Sequence, residues 1–500
     1  MQYSSTRNNS LSVSSAQAIA SGISSEGGLF VPKEIPHITA EFVESLVPMT
    51  YIERARAVLS LYLTDYTKEE LDEYTEGAYG TGFSSADVAP TVSVGGGLNI
   101  LELWHGPTCA FKDMALQLLP YLLTGAAKRV SGGKETVILV ATSGDTGKAA
   151  LEGFKDVAGT RILVFYPEDG VSPMQKLQMT TQKGGNVGVC AIYGNFDDAQ
   201  TGVKRIFTDP AVKAKLDENN MAFSSANSIN WGRLVPQIVY YFSAYADMIK
   251  QDKIKNGDRI NFTVPTGNFG NILAAYYARE MGLPVHRLIC ASNANNVLTE
   301  FLTTGHYNRC RPFHTTVSPS MDILISSNLE RLLYHLSGND SDEINRLYSS
   351  LAETGEFTVS ADILEKIKSL FSADFCDDAE TKQTIHTVFE KYSYLCDTHT
   401  AVGVGVYEKY AAATGDAAPC VIDSTASPYK FAKAVLEAVG AGKELPPDEF
   451  SMVDELEKMT GTAAPKQLKE LKNAEVRFNK TVKTDEMEAA VYSLLGIAAE

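Results

Sequence analysis

The chain has 500 residues, 44% of them apolar and 21% charged, with a formal net charge of −17. That length exceeds one hydrophobic core and implies two or three domains, while the acidic balance argues against nucleic-acid binding and against docking on an anionic membrane. No apolar run reaches the roughly 18 residues a transmembrane helix needs, and seven cysteines without a CxxC pair fit reduced thiols, not a zinc ribbon or a disulfide frame.

The opening stretch, MQYSSTRNNSLSVSS, lacks the charged-then-apolar layout of a signal peptide. Being Ser-rich with Arg7 and no early acid, it leaves an organellar transit reading open beside a cytoplasmic one. Ser15 to Ala20 reads as a helix broken by Gly27-Gly28. Residues 50–63 space their apolar positions as an amphipathic helix does. Thr67 with Glu70 three residues on is a capping pattern for another. Gly77 to Gly97 reads as loop, so residues 1–90 are expected to form an α-rich N-terminal domain.

From residue 98 short β-branched runs alternate with helical stretches. Seven of them, beginning near residues 99, 136, 161, 186, 260, 286 and 419, are mostly apolar throughout, as strands covered on both faces are. Strand and helix in alternation imply βαβ units and mostly parallel sheets, in which ligands bind at loops after the carboxyl ends of strands. The expectation is an α/β core over residues 91–440, followed by a helical segment over 441–500. Within the core, helices at 341–351, 361–371 and 378–392 suggest a helical insertion at about 310–400. Asp397 caps a further helix, and His399 beside it reads as a helix-start histidine. The Lys-rich patch at 466–472 reads as a solvated face.

The loops after the strands carry the chemistry-bearing residues. In HGPTCAFKDMALQ, Lys112 sits at a turn-to-helix junction between Phe111 and Asp113. Held away from water, such an amine loses its proton and becomes a nucleophile able to form a Schiff base; on a surface it would simply pair with Asp113. ATSGDTGKAA, with Ser143, Asp145 and Thr146, leads into a helix start suited to a carboxylate or phosphate, or to plain capping. It is not a Walker A loop, because Gly144 and Gly147 are too close and Ala149 follows Lys148. In FSSANSINWGRL, Asn227, Ser228 and Asn230 precede Arg233; they read either as caps or as an anion grip. VPTGNFGNIL, residues 264–273, offers a turn whose successive N–H groups suit one phosphate monoester, and it is not GxGxxG. In IDSTASPYK, Thr425 could face a ring nitrogen or cap a helix.

HGPTCAFKDMALQ, TSGDTGKAA, NSINWGR, PTGNFGN and DSTASPYKF, in this order and spacing, resemble the threonine synthases, particularly the longer form of fungi and many bacteria. YSSTR and EGGLFVP near the start resemble that family's opening, so the likeness covers nearly the whole chain. It implies a fold type II, tryptophan synthase β-like, pyridoxal 5′-phosphate enzyme. It further implies conversion of O-phospho-L-homoserine and water to L-threonine and phosphate through a β,γ-unsaturated intermediate, by a monomer or homodimer with no metal. Carried onto this sequence, the likeness makes Lys112 the cofactor lysine and catalytic base, and Gly267, Asn268, Phe269, Gly270 and Asn271 the cofactor phosphate loop. Thr425 meets the pyridine nitrogen; Ser143, Asp145 and Thr146 meet the substrate carboxylate; Asn227, Asn230 and Arg233 are the candidates for the substrate phosphate. Cys109 and Ser427 depart from the family pattern, where a larger residue and a His are expected. The alternatives are a related phospholyase releasing a keto acid, a serine or threonine dehydratase, and a non-catalytic phosphate-ligand-binding protein on the same scaffold.

Overall fold

Two parallel sheets, each covered on both faces, set the architecture of the computed structural model. It describes residues 1–498 apart from 131, 143, 170, 441 and 443 and the side chain of Asp197. The first sheet has the order Phe371–Phe375, Val285–Ser292, Ile260–Pro265, Cys420–Ser424, Leu98–Glu102, Thr91–Gly95. All its pairings are parallel except the last, a hairpin closed through Gly95-Gly96-Gly97. The second sheet is parallel throughout and runs Thr481–Val482, Val187–Ile192, Thr160–Pro167, Glu135–Ala141, Met221–Ser224. The inner strands are apolar on both faces because helices cover both; Val137, Ile138, Leu139 and Val140 are all buried.

Helix Trp231–Lys250 runs through the middle of the molecule, with nearly every residue along it buried. Its first residue, Trp231, packs against Tyr3, Tyr62 and Tyr277 at ring-centroid distances of 5.3, 5.5 and 5.4 Å. The N-terminal segment is thereby fastened to the core. Arg331, fully buried, adds a polar staple: its Nε donates to Phe30 O and its Nη2 to Ile229 O. Among the described residues no helix is long and apolar enough to cross a membrane.

Several elements differ from the sequence reading. The N-terminal region opens with a three-stranded antiparallel sheet, Asn8–Val13, Tyr3–Ser5 and Phe30–Pro32, before its helices. Asn8–Val13 is polar and largely exposed, so it carries no apolar pattern to reveal a strand. Residues 77–97 are not simply loop, since helix Lys68–Tyr79 reaches into them and Thr91–Gly95 pairs with Leu98–Glu102. The 310–400 region is more than a helical elaboration. Phe371–Phe375 is the edge strand beside Val285–Ser292. Likewise the 441–500 segment is not purely helical, because Thr481–Val482 joins the second sheet beside Val187–Ile192.

Candidate active site

Three loops at the carboxyl ends of neighbouring strands of the first sheet converge. Lys112 follows Leu98–Glu102, Thr425 follows Cys420–Ser424, and Gly267 follows Ile260–Pro265. The first two are stitched together by backbone: Phe111 N donates to Thr425 O at 2.8 Å and Ser427 N to Cys109 O at 3.0 Å. Cys109 itself lies in the left-handed region with φ 59°, buried under this turn.

Lys112 does not pair with Asp113. The Asp113 carboxylate is turned inward and accepts from Thr108 N and Thr108 Oγ1, both at 2.8 Å, while burial lifts its pKa to about 6. The Lys112 ammonium lies 4.9 Å from the Phe111 ring centroid and 3.5 Å from Ser320 Oγ. Burial is the main cause that lowers its pKa to about 8. Asp145 opposes the shift, and the cations Lys430 and Arg233 add to it.

Asp145 occupies the centre of a charged cluster. Its Oδ1 lies 2.8 Å from Lys430 Nζ, both side chains being buried, and also accepts from Gln175 Nε2 at 3.2 Å. Its Oδ2 accepts from Ser320 Oγ at 3.4 Å. Burial alone would raise its pKa, yet Lys430 and Lys112 hold the carboxyl well below the usual range. The Asp145 side chain is thus engaged by Lys430, Gln175 and Ser320, and a buried anion would itself repel another carboxylate. The part of this loop suited to one is the start of helix Asp145–Phe154, where Thr146 lies half-buried in the first turn. Ser143 lies outside the described residues. Gly144, with φ 143°, holds a backbone conformation that strains any other residue, and a Cβ there would meet the end of the Gln175 side chain at 2.4 Å.

The PTGNFGN turn is built from backbone. Phe269 adopts the left-handed conformation, φ 63°, immediately before helix Gly270–Glu280, which aims successive amides to one side. Ser326 Oγ donates to Gly267 O at 2.7 Å, and Asn328 N to Asn268 O at 3.1 Å, locking the turn from outside. A Cβ on Gly267 would sit 2.8 Å from Ser320 O, whereas one on Gly270 would meet nothing closer than 3.5 Å. The Asn271 side chain is turned away from this concavity. Its Nδ2 donates to Asp423 Oδ2 at 3.0 Å and its Oδ1 accepts from Tyr241 Oη at 2.7 Å, so only its backbone is available to an anion.

In NSINWGR the expected residues separate. Asn230 is fully buried and spent as a helix cap: Oδ1 accepts from Gly232 N at 2.8 Å, and Nδ2 donates to Ile19 O and Ser225 O. Its amide is therefore not part of an anion grip, and Asn227 is exposed at the surface. Arg233 is different. It is buried; Nη1 donates to Ala226 O at 2.9 Å, but Nε has no hydrogen-bond partner, and burial lowers its pKa to about 10. A buried guanidinium with an unmet donor is poised for an anion.

Lys430, Gln175, Ser320 and the Asp397–His399 pair were not among the site residues read from the sequence. Lys430 stands within DSTASPYKF, so that motif held a clue to it; nothing marks Ser320, which sits in an irregular segment over the site.

Compared with known proteins, residues 2–79 match the family described as "Threonine synthase N terminus", 91–423 "Pyridoxal-phosphate dependent enzyme" and 400–491 "Threonine synthase, C-terminal". The fold and the lysine-centred site thus define the class of pyridoxal-phosphate dependent enzymes of the type II fold. The chain is 36% identical over 513 residues to threonine synthase of Saccharomyces cerevisiae, covering 97% of this chain and 98% of that one. The crystal structure of pyridoxal-phosphate-bound threonine synthase from Brucella melitensis superposes with a TM-score of 0.87 at 38% identity, with 99% of each chain covered. Within the class, then, this chain belongs to the threonine synthase family. It is also 42% identical over 434 residues to human "Threonine synthase-like 1", covering 85% of this chain; it spans 58% of the length of that relative.

Proposed function

We propose that this chain converts O-phospho-L-homoserine and water to L-threonine and phosphate, using pyridoxal 5′-phosphate. One observation carries the reading: an amine of lowered pKa, Lys112, is served by two separate anion-suited places, the Gly267–Asn271 turn and Arg233. The residues present suit the cofactor. The backbone amides of the turn at the start of helix Gly270–Glu280 suit its phosphate, Lys112 its carbonyl carbon, and Thr425, stitched beside Lys112, its ring nitrogen. When bound, the cofactor supplies an electron sink for charge that develops on the substrate.

The remaining work falls to the chain's own side chains. Lys112 Nζ, its pKa lowered by burial to about 8, takes the Cα proton, gives it up, and then takes a Cβ proton; protons return at Cγ, vacated by phosphate, and at Cα, and water adds its hydroxyl at Cβ while its proton goes to the released phosphate. Arg233 holds the substrate phosphate up to its departure from Cγ, its unmet Nε–H taking an oxygen. The amides at the start of helix Asp145–Phe154 suit the substrate carboxylate. Lys430 neutralises Asp145, so that the carboxylate beside Lys112 does not hold that amine charged. The decisive experiment follows phosphate and threonine release from O-phosphohomoserine by the purified, cofactor-loaded protein. Equimolar release of the two is expected; phosphate accompanied by a keto acid, or no release at all, would overturn the assignment.

A further inference from the structure

The segment from Thr316 to Asp322, irregular but for the short 3-10 turn Pro319–Met321, lies beside Lys112 and is held at its ends and between them. At the ends Asp322 Oδ1 accepts from Thr316 Oγ1, Asn293 Nδ2 and Asn295 Nδ2 at 2.7, 2.8 and 3.0 Å. Between them Ser320 N donates to His399 Nε2 at 3.2 Å. His399 is 2% exposed and Asp397 fully buried; His399 Nδ1 lies 2.7 Å from Asp397 Oδ2, and the ring packs on Phe431 at 4.9 Å. A nitrogen that receives an N–H carries no proton, so the imidazole proton sits on Nδ1 and is given to Asp397. This is the one neutral tautomer that satisfies both partners.

What the histidine holds is the residue whose hydroxyl meets the reactive amine. Ser320 Oγ lies 3.5 Å from Lys112 Nζ and 3.4 Å from Asp145 Oδ2, while Ser320 O lies close against Gly267, 2.8 Å from where a Cβ would stand. We infer that His399 is a positioning residue: with Asp397 it fixes Ser320 so that the hydroxyl accepts a hydrogen bond from the Lys112 amine and donates one to Asp145. The hydroxyl then aims the amine, because a group that must donate to Asp145 offers its lone pairs to Lys112 alone.

The kinetic part of the test rests on the proposed function; the exchange part does not. The cofactor-loaded full chain is compared with His399→Leu, which fills the space with no acceptor, and with His399→Gln, whose carbonyl can accept from Ser320 N–H. In His399→Leu, hydrogen–deuterium exchange of the 316–322 peptide should speed up on the order of tenfold, with helix Trp231–Lys250 unchanged as internal reference. kcat for threonine formation should fall by about tenfold with KM held within about twofold. His399→Gln should restore most of both. Ser320→Ala should lower kcat comparably without loosening the segment. Should His399→Leu fail to fold, His399→Asn, too short to reach Ser320, takes its place with the same expected result. Unchanged exchange and kcat in the variant lacking the acceptor, or a Gln variant no better than it, would overturn the inference. If the wild-type chain makes no threonine, the proposed reaction fails, and the exchange comparison still judges the His399 contact.

Discussion

The two anion-suited places of this molecule are built in opposite ways. The PTGNFGN turn presents backbone: a left-handed Phe269, a glycine with no room for a side chain, and a helix start, all locked by Ser326 and Asn328. The NSINWGR segment presents one side chain, Arg233, while Asn230 is spent on capping. Backbone amides carry no net charge, cannot swing aside, and suit a phosphate that stays. A guanidinium with an unmet Nε–H binds more strongly but can be shared with a group that arrives, leaves and diffuses away. On the proposed function, the difference suits the turn to the cofactor phosphate and the arginine to the substrate phosphate.

The comparison can be broken at several points. The largest effect is expected from Lys112→Ala, which removes the amine that both places serve. Turnover should fall by roughly two to four powers of ten, while the phosphate turn still retains cofactor in an equilibrium titration. Threonine formation near the wild-type rate would contradict the assignment of Lys112. Next comes Arg233→Ala. Losing a charge-assisted contact costs about 1.5–3 kcal/mol, or roughly one to two powers of ten in kcat/KM, with cofactor affinity near normal. Steady-state kinetics beside a cofactor titration separates this from the reverse outcome, weakened cofactor with unchanged substrate dependence.

A finer contrast lies within the turn. Gly267→Val must push on Ser320 O, 2.8 Å from the new Cβ, so cofactor affinity should drop by roughly tenfold or more. Gly270→Ala, whose nearest neighbour is 3.5 Å away, should leave it almost unchanged. Equal losses in the two titrations would show that the concavity at Gly267 is not the anchoring point.

The smallest effect concerns Asp423, which braces the turn from behind through Asn271 and Tyr241. Burial raises its pKa from 3.8 to about 7. A carboxyl whose folded pKa lies above its unfolded value contributes stability that is fully present below the unfolded pKa and is lost as pH rises through the folded one. Melting temperature should therefore decline between about pH 4 and pH 7, and Asp423→Asn should flatten that decline. Parallel wild-type and variant slopes in thermal melts would argue that the carboxyl ionises freely.

Much of this site was legible in the sequence because its parts are local. A strand such as Glu135–Ala141 announces itself by an unbroken apolar run, and PTGNFGN by glycines placed between strand and helix. Thr67 and Glu70 foretold the capping box that starts Lys68–Tyr79. What stayed hidden depends on distant partners. Ser320 matters only because His399, 79 positions away, holds its amide and Asp145, 175 positions away, accepts from its hydroxyl. The Asp145–Lys430 pair likewise joins two separate motifs, so neither motif alone shows that the carboxylate is neutralised. Phe371–Phe375 is half-exposed along most of its length, so its pairing, not its composition, makes it a strand.

The strand Thr481–Val482 sets a timetable for biosynthesis. It pairs with Ala191 and Ile192 at the carboxyl end of Val187–Ile192, and the neighbouring Lys480 carbonyl accepts from Cys190 Sγ across 290 positions of sequence. At about 5–20 residues per second, a ribosome takes roughly 15–60 s to deliver that partner after the strand itself has emerged. For that interval the nascent second sheet presents an apolar strand with an open ladder of N–H and C=O groups, the kind of edge that recruits other chains. The pairing of Thr481 with Ala191 and Val482 with Ile192 is thus the last of the second sheet's ladders to become available in chain order.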